Sequence, residues 1–249
     1  MVLSDVQIVE LFHVSFLSVL SRRLDPSRYV LKGGANLRYF FHSVRYSEDI
    51  DLDLLGVPAW SLEEKVDALL DKGPLGILLR PAEVAIVEFS KPKQTETTQR
   101  WKIGLEAPGR GESIRTKVEF SHREGQQEFR LEVVPAWIVE PYALRAPSVQ
   151  HYTGDVPVEQ KVEALADRSE TQARDVFDLD LLLRRQPLPA GAVDREIVEA
   201  SIDRAFELPF DAFRDQVLPF LEPEVAELYD AAAWEQMQTF VAEKLEELL

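Results

Sequence analysis

Apolar residues first recur at helical spacing in Val6, Val9, Phe12, Phe16 and Leu20, with Val14 and Leu17 between them. Ser4-x-x-Gln7 precedes them as a capping box would, so a helix is expected from about residue 5 to 22, ending before Asp25-Pro26. His13 within it is expected at a surface or boundary, with no role. Arg28 to Leu31 reads as a short strand, and Gly33-Gly34 as a tight turn into a helix carrying Leu37, Phe40 and Phe41. The pattern then switches to period two: Asp49, Asp51 and Asp53 fall on one face of an extended strand, and Ile50, Leu52 and Leu54 on the other.

Ser61-x-x-Glu64 is a second capping-box pattern, predicting a helix to about Lys72. Period two returns after Pro81 and predicts four strands, over 84–89, 100–105, 114–121 and 129–134, separated by polar turns with proline and glycine. In the third, Ile114, Thr116, Val118 and Phe120 share a face, and Arg115, Lys117, Glu119 and Ser121 the other. That polar face matches the aspartate strand, and pairing the two would bring Glu119 to the aspartates. From Val156 the spacing is helical again. Pro157 suits a first helical turn above the stripe Val158, Val162 and Leu165, and Ser169-x-x-Gln172 suits the cap of a helix reaching about Arg185. Beyond a connector with Pro187, Pro189 and Gly191, two or three acidic amphipathic helices close the chain. The expected fold is α+β, a mixed sheet with flanking helices over 1–155 followed by a C-terminal helical domain over 156–249.

Composition narrows the chemistry. The chain has 249 residues, no cysteine and four histidines, at 13, 42, 122 and 151. Disulfides and thiolate metal sites are therefore excluded, and a histidine-rich metal site is not indicated. No apolar run approaches a membrane span and no basic leader precedes an apolar stretch, so a cytoplasmic protein without a membrane partner is expected. The net charge of −16 is uneven: residues 186–249 hold fifteen acidic and four basic side chains, whereas 76–148 are nearly balanced. A nucleic acid would be repelled by the whole and must use the middle of the chain. There Lys91, Lys93, Arg100, Lys102, Arg110, Arg115 and Lys117, with Trp101 among them, form either an RNA-contacting strip or a plain solvated sheet edge. The acidic tail is either a solvated helix surface or a face for a basic partner.

Aspartate is a poor strand former, and three in five residues also repel one another. A divalent cation with oxygen ligands would offset both costs, most simply Mg²⁺ holding nucleotide phosphates. A glycine pair at a strand-to-helix turn lets backbone amides approach a phosphate, although such pairs more often simply make turns.

The segments LKGG, RYSEDIDLDL and VPVEQKVEALADRSETQARDVFDLDLLL resemble the AbiEii/AbiGii nucleotidyltransferases, toxins of type IV toxin–antitoxin systems, and their MenT-like relatives. The likeness spans about residues 5–185 and is most specific at 31–53 and 159–182. It implies a DNA polymerase beta-type nucleotidyltransferase fold. It implies Asp49 and Asp51 as the metal pair, with Glu119 as a third carboxylate holding Mg²⁺ or Mn²⁺. Gly33, Gly34 and Ser47 would contact the phosphates of an NTP. Lys161 and Arg168 match basic positions of the downstream motif, and Asp175 and Asp178 match its paired acids, divided between ordering Lys161 and direct chemistry. The fourteen residues between Gly34 and Asp49 exceed the common spacing, and Asp53 stands where the pattern is apolar or variable. The implied reaction moves NMP to an RNA hydroxyl, often at a tRNA 3′ end, with an antitoxin as partner. A protein or small-molecule acceptor, and a silent metal- or partner-binding module, are the alternatives.

Overall fold

The computed structural model describes residues 3–122, 128–185 and 188–249. Two compact units emerge, one of Met1–Phe40 with Tyr46–Tyr152 and one of Phe41–Arg45 with Thr153–Leu249. The five residues 41–45, which a linear reading assigns to the first part, thus group with the second.

In the first unit, helix α1 (Asp5–Leu20) is capped as its sequence predicts, with Ser4 Oγ accepting from the Gln7 backbone and Gln7 returning the bond. Strand β1 (Tyr29–Lys32) runs into α2 (Gly33–Phe40), and β2 (Ile50–Leu54) follows. Then come α3 (Ala59–Lys72), α4 (Leu75–Leu79), β3 (Ala85–Gln94), β4 (Thr98–Glu106), β5 (Ile114–His122), β6 (Phe129–Val133), α5 (Ala136–Val139) and β7 (Ser148–Tyr152). The strands form one mixed sheet in the order β3-β4-β5-β2-β1-β7-β6. β2 is antiparallel to β1 and parallel to β5, and β7 is parallel to β1. β7 is absent from the sequence reading, because SVQHY lacks a clean alternation of apolar and polar positions.

One sheet face carries Leu31, Ile50, Leu52, Trp101, Ile103, Val118 and Phe120, all buried with α1, α3 and α4 in a single core. Phe16 of α1 lies against Phe120, with ring centroids 6.5 Å apart. α1 is buried on nearly every side, as expected of a helix apolar all round. His13 is therefore not a surface residue: it is 1 % exposed, with Nε2 2.8 Å from Thr116 Oγ1. Burial pushes its pKa down to about 3, so the ring is neutral. Two further expectations change. α3 begins after Pro58, and Ser61 Oγ serves as acceptor for Lys65 Nζ instead of capping the helix. Trp101 belongs to the core and not to a basic strip, its Nε1–H donating to Asp67 at 2.8 Å.

The second unit is helical: α6 (Val156–Asp167), α7 (Ala173–Arg185), α8 (Arg195–Phe206), α9 (Phe210–Gln216), α10 (Pro223–Ala226) and α11 (Ala231–Glu246). Val158, Val162 and Leu165 are buried as their spacing predicts, and Ser201 of α8 donates to the Val162 carbonyl at 2.9 Å. Phe177, Phe213, Tyr229 and Trp234 form a continuous aromatic cluster joining α7, α9 and α11. α7 starts at Ala173, so the Ser169–Gln172 pair precedes it. Among the described residues, no helix is long and apolar enough to cross a membrane.

Candidate active site

β2 sits between β1 and β5, so each of its polar side chains has a neighbour on both sides. Asp51 is level with Lys32 of β1 and with Glu119 of β5. The approach of Glu119 to the aspartates, expected from matched alternation, is thus set by parallel pairing in register. Asp53 is level with Val30 and Ser121. It is fully buried, ion-paired with Lys32 Nζ, and accepts the Tyr152 hydroxyl at 2.8 Å. Lys32 also donates to Ser121 Oγ at 3.1 Å. The three aspartates are therefore not equivalent, because Asp53 is neutralised inside the sheet and serves its packing.

Asp49 lies just ahead of β2, where the Ser47 hydroxyl donates to its carbonyl at 2.7 Å. Its Oδ1 accepts the Lys117 backbone N–H at 3.1 Å, and its Oδ2 pairs with Lys117 Nζ. Glu119 Oε2 is 2.5 Å from Arg100 Nε. Asp51 faces the glycine turn. Gly33 has φ +66°, and a Cβ added there would stand 3.1 Å from Asp51 Oδ2. Burial chiefly raises the Asp51 pKa above the ordinary carboxylate value; Lys117 opposes this, the Asp49 and Glu119 charges add to it, and Lys32 opposes. Gly34 is the second residue of α2. Beside Asp49 opens a cleft of about 430 Å³ lined by Glu48, Asp49, Ser90, Lys102, Arg115, Thr116 and Lys117.

Among the described residues, no three His, Cys, Asp or Glu side chains converge as a metal-binding group. Asp49 and Glu119 are each turned to a cation of the protein instead. The donor chemistry nevertheless fits a hard divalent ion: three carboxylates at adjoining positions, with mutual repulsion already felt at Asp51.

The downstream motif forms a closed network within the second unit. Lys161 Nζ is 2.8 Å from Asp175 Oδ1 and 2.7 Å from Asp178 Oδ2, and both aspartates are fully buried. Arg168 Nε lies 2.8 Å from Asp175 Oδ2, and Arg45 grips both oxygens of Asp178, at 3.0 and 2.8 Å. Arg168 is the C-cap of α6 and not part of its helical face. Asp178 is thus matched by Arg45 and Lys161. Burial alone would raise the Asp178 pKa, but the Arg45 and Lys161 charges overcome it and leave it below the ordinary value.

The sequence model of the family described as nucleotidyl transferase AbiEii toxin, type IV TA system, matches residues 15–247. The chain belongs to that family. It is a nucleotidyltransferase, and membership implies an NTP substrate and an antitoxin partner. Two Helicobacter pylori crystal structures share the fold. One is of a candidate nucleotidyltransferase (TM-score 0.56, 20 % identity, 99 % of each chain covered). The other is of JHP933 (TM-score 0.53, 18 % identity, 96 % of this chain and 91 % of that one). No curated protein matches the sequence.

Four residues that the structure places around these carboxylates, Lys32, Arg100, Lys117 and Tyr152, carry no site role in the sequence pattern. Lys32 could have been suspected from its place directly before the glycine pair. Arg100 and Lys117 stand in the sequence only as members of a basic strip, and Tyr152 carries no signal, since SVQHY lacks the alternation that marks a strand. Arg45 is likewise new to the second-unit network, 133 residues from its partner Asp178.

Proposed function

We propose that this chain transfers NMP from an NTP to a hydroxyl of an RNA acceptor, with a tRNA 3′ end as the preferred one, in a reaction dependent on Mg²⁺ or Mn²⁺. The observation that carries the reading is the position of Asp51, level with Glu119 on the neighbouring strand and in contact range of the Gly33 turn. Asp49, Asp51 and Glu119 would hold the cation, which when bound offsets negative charge on the triphosphate and in the transition state. The acceptor hydroxyl gives up its proton beside Glu119, and its oxygen attacks the α-phosphorus in line. The bond from that phosphorus to the α–β bridging oxygen breaks, and pyrophosphate leaves.

Gly33 and Gly34 present backbone N–H groups to phosphate at the start of α2, where the helix favours an anion. Ser47 adds its hydroxyl. For Lys161 and Arg168 we assign neutralisation of phosphate charge, with Asp175 and Asp178 as positioning residues that fix them. Lys102, Arg115 and Lys117, lining the cleft beside Asp49, favour an acceptor with a phosphodiester backbone over one without.

The test is incubation with Mg²⁺ or Mn²⁺, each α-labelled NTP in turn, and total cellular RNA. Label on tRNA, lost on chelation, is expected. Label on protein or on a small molecule would overturn the acceptor, and no label with any NTP would overturn the reaction. Asp49→Ala and Lys161→Ala are each expected to lose transfer while circular dichroism shows the fold retained. An Asp49→Ala variant at wild-type rate would refute the metal assignment.

A further inference from the structure

β6 is the last strand of the sheet, and its five residues are all exposed. Natural edge strands are usually blunted by charge, proline or a covering segment. Here Phe129, Leu131 and Val133 form an apolar row on one face, 39 %, 59 % and 59 % exposed. Arg130 and Glu132 alternate with them on the other face. Among the described residues, Arg130 forms no ion pair, and Glu132 has only His151 Nε2, at 3.8 Å.

The free edge has a defined hydrogen-bonding phase. Val134 N–H donates to the Pro147 carbonyl, which continues the β6–β7 register. In an antiparallel ladder, alternate residues turn both backbone groups to the partner. Residues 130, 132 and 134 therefore face β7, while 129, 131 and 133 point N–H and C=O outward. Among the described residues, no backbone hydrogen bond reaches that outer side.

We propose that β6 pairs antiparallel with β6 of a second copy of this chain, about a two-fold axis at Leu131. This register sets Leu131 opposite Leu131, and Phe129 opposite Val133 of the second copy. All three outward-facing residues are then in hydrogen-bonded pairs, and the apolar rows become continuous. On the other face Arg130 falls opposite Glu132 of the second copy, and Glu132 opposite its Arg130. The strand is thus self-complementary in charge, as an isologous contact requires. Centring the axis on residue 130 or 132 would oppose arginine to arginine or glutamate to glutamate, which is unfavourable. A five-residue ladder covers less than the area of a standard stable interface, so the dimer is weak and concentration-dependent.

Sedimentation velocity on the full chain, over a concentration series reaching the millimolar range, tests this pairing. The wild type is expected to dimerise reversibly. Arg130→Glu and Glu132→Arg each place like charges opposite at two sites and should weaken association about tenfold or more. Mixed in equal amounts, these two variants regain complementarity and should associate as well as the wild type does. The double exchange Arg130→Glu with Glu132→Arg should likewise restore the dimer. Because recovery on mixing requires two folded proteins, misfolding cannot imitate it. A wild type that stays monomeric throughout would overturn the proposal and leave the edge to a strand of a different protein. A dimer unaffected by either single reversal would place the interface elsewhere and overturn it too.

Discussion

Gly33→Ala separates what the glycine turn does for folding from what it does for chemistry. At φ +66° an L-residue is strained, at about 1–2 kcal/mol. The new Cβ would also stand 3.1 Å from Asp51 Oδ2, closer than an ordinary contact, so the carboxylate must move by a few tenths of an ångström. A misplacement of about 1 Å in a catalytic constellation costs on the order of 10²-fold, so a shift of this size should cost on the order of tenfold in rate. Gly109 supplies the control: its φ is +76°, and nothing lies within 4 Å of an added Cβ. Gly109→Ala therefore carries the backbone strain without the contact. Both variants are expected to lose similar stability in urea unfolding, while only Gly33→Ala loses initial rate in transfer from an α-labelled NTP. If Gly33→Ala transferred at the wild-type rate while destabilised like Gly109→Ala, the turn would not position Asp51.

Asp178→Ala strips Arg45 and Lys161 of a buried partner and should destabilise the protein by about 3–5 kcal/mol in denaturant unfolding. Because the folded-state pKa of Asp178 is depressed, its contribution is present above the unfolded value of about 3.9 and is lost as pH falls through the folded one. Asp178→Asn should accordingly flatten the loss of stability in acid, and an unchanged acid limb would contradict the pairing. Asp51 behaves oppositely: with its folded pKa raised, its contribution is complete below the unfolded value and is lost as pH rises through the folded one. Asp51→Asn should therefore melt above the wild type at pH 7, with the gain vanishing toward pH 4, while transfer is lost; a lower Tm at pH 7 would refute this. Asp53→Ala leaves Lys32 with Ser121 alone among these partners and should cost about 3–5 kcal/mol in urea unfolding, whereas a near-neutral result would mean that the pair is not needed for the fold.

Much of the first unit was legible along the chain because side-chain alternation is a local property of extended backbone. The alternation at 49–54 and at 114–121 sorted core from polar face, and the match between the two polar faces placed Glu119 beside the aspartates. The same rule points Trp101 inward with Ile103 and Leu105, a signal obscured by the basic residues on either side. The burial of His13 follows from the apolar residues surrounding it on nearly every face of α1, which outweigh the polarity of its own side chain.

What the sequence by itself determined is therefore which side chains share a face, most of the helices and strands but not β7, and, through LKGG and RYSEDIDLDL, the family. Only the tertiary structure decided which charge meets which. Asp53 is tied to Lys32 and Tyr152, Asp49 to Lys117, Glu119 to Arg100, and Asp178 to Arg45, across separations of 19 to 133 residues along the chain. Local periodicity follows from backbone geometry within a few residues. Strand order and register follow from burying one common core, and no stretch of the chain read alone contains that constraint.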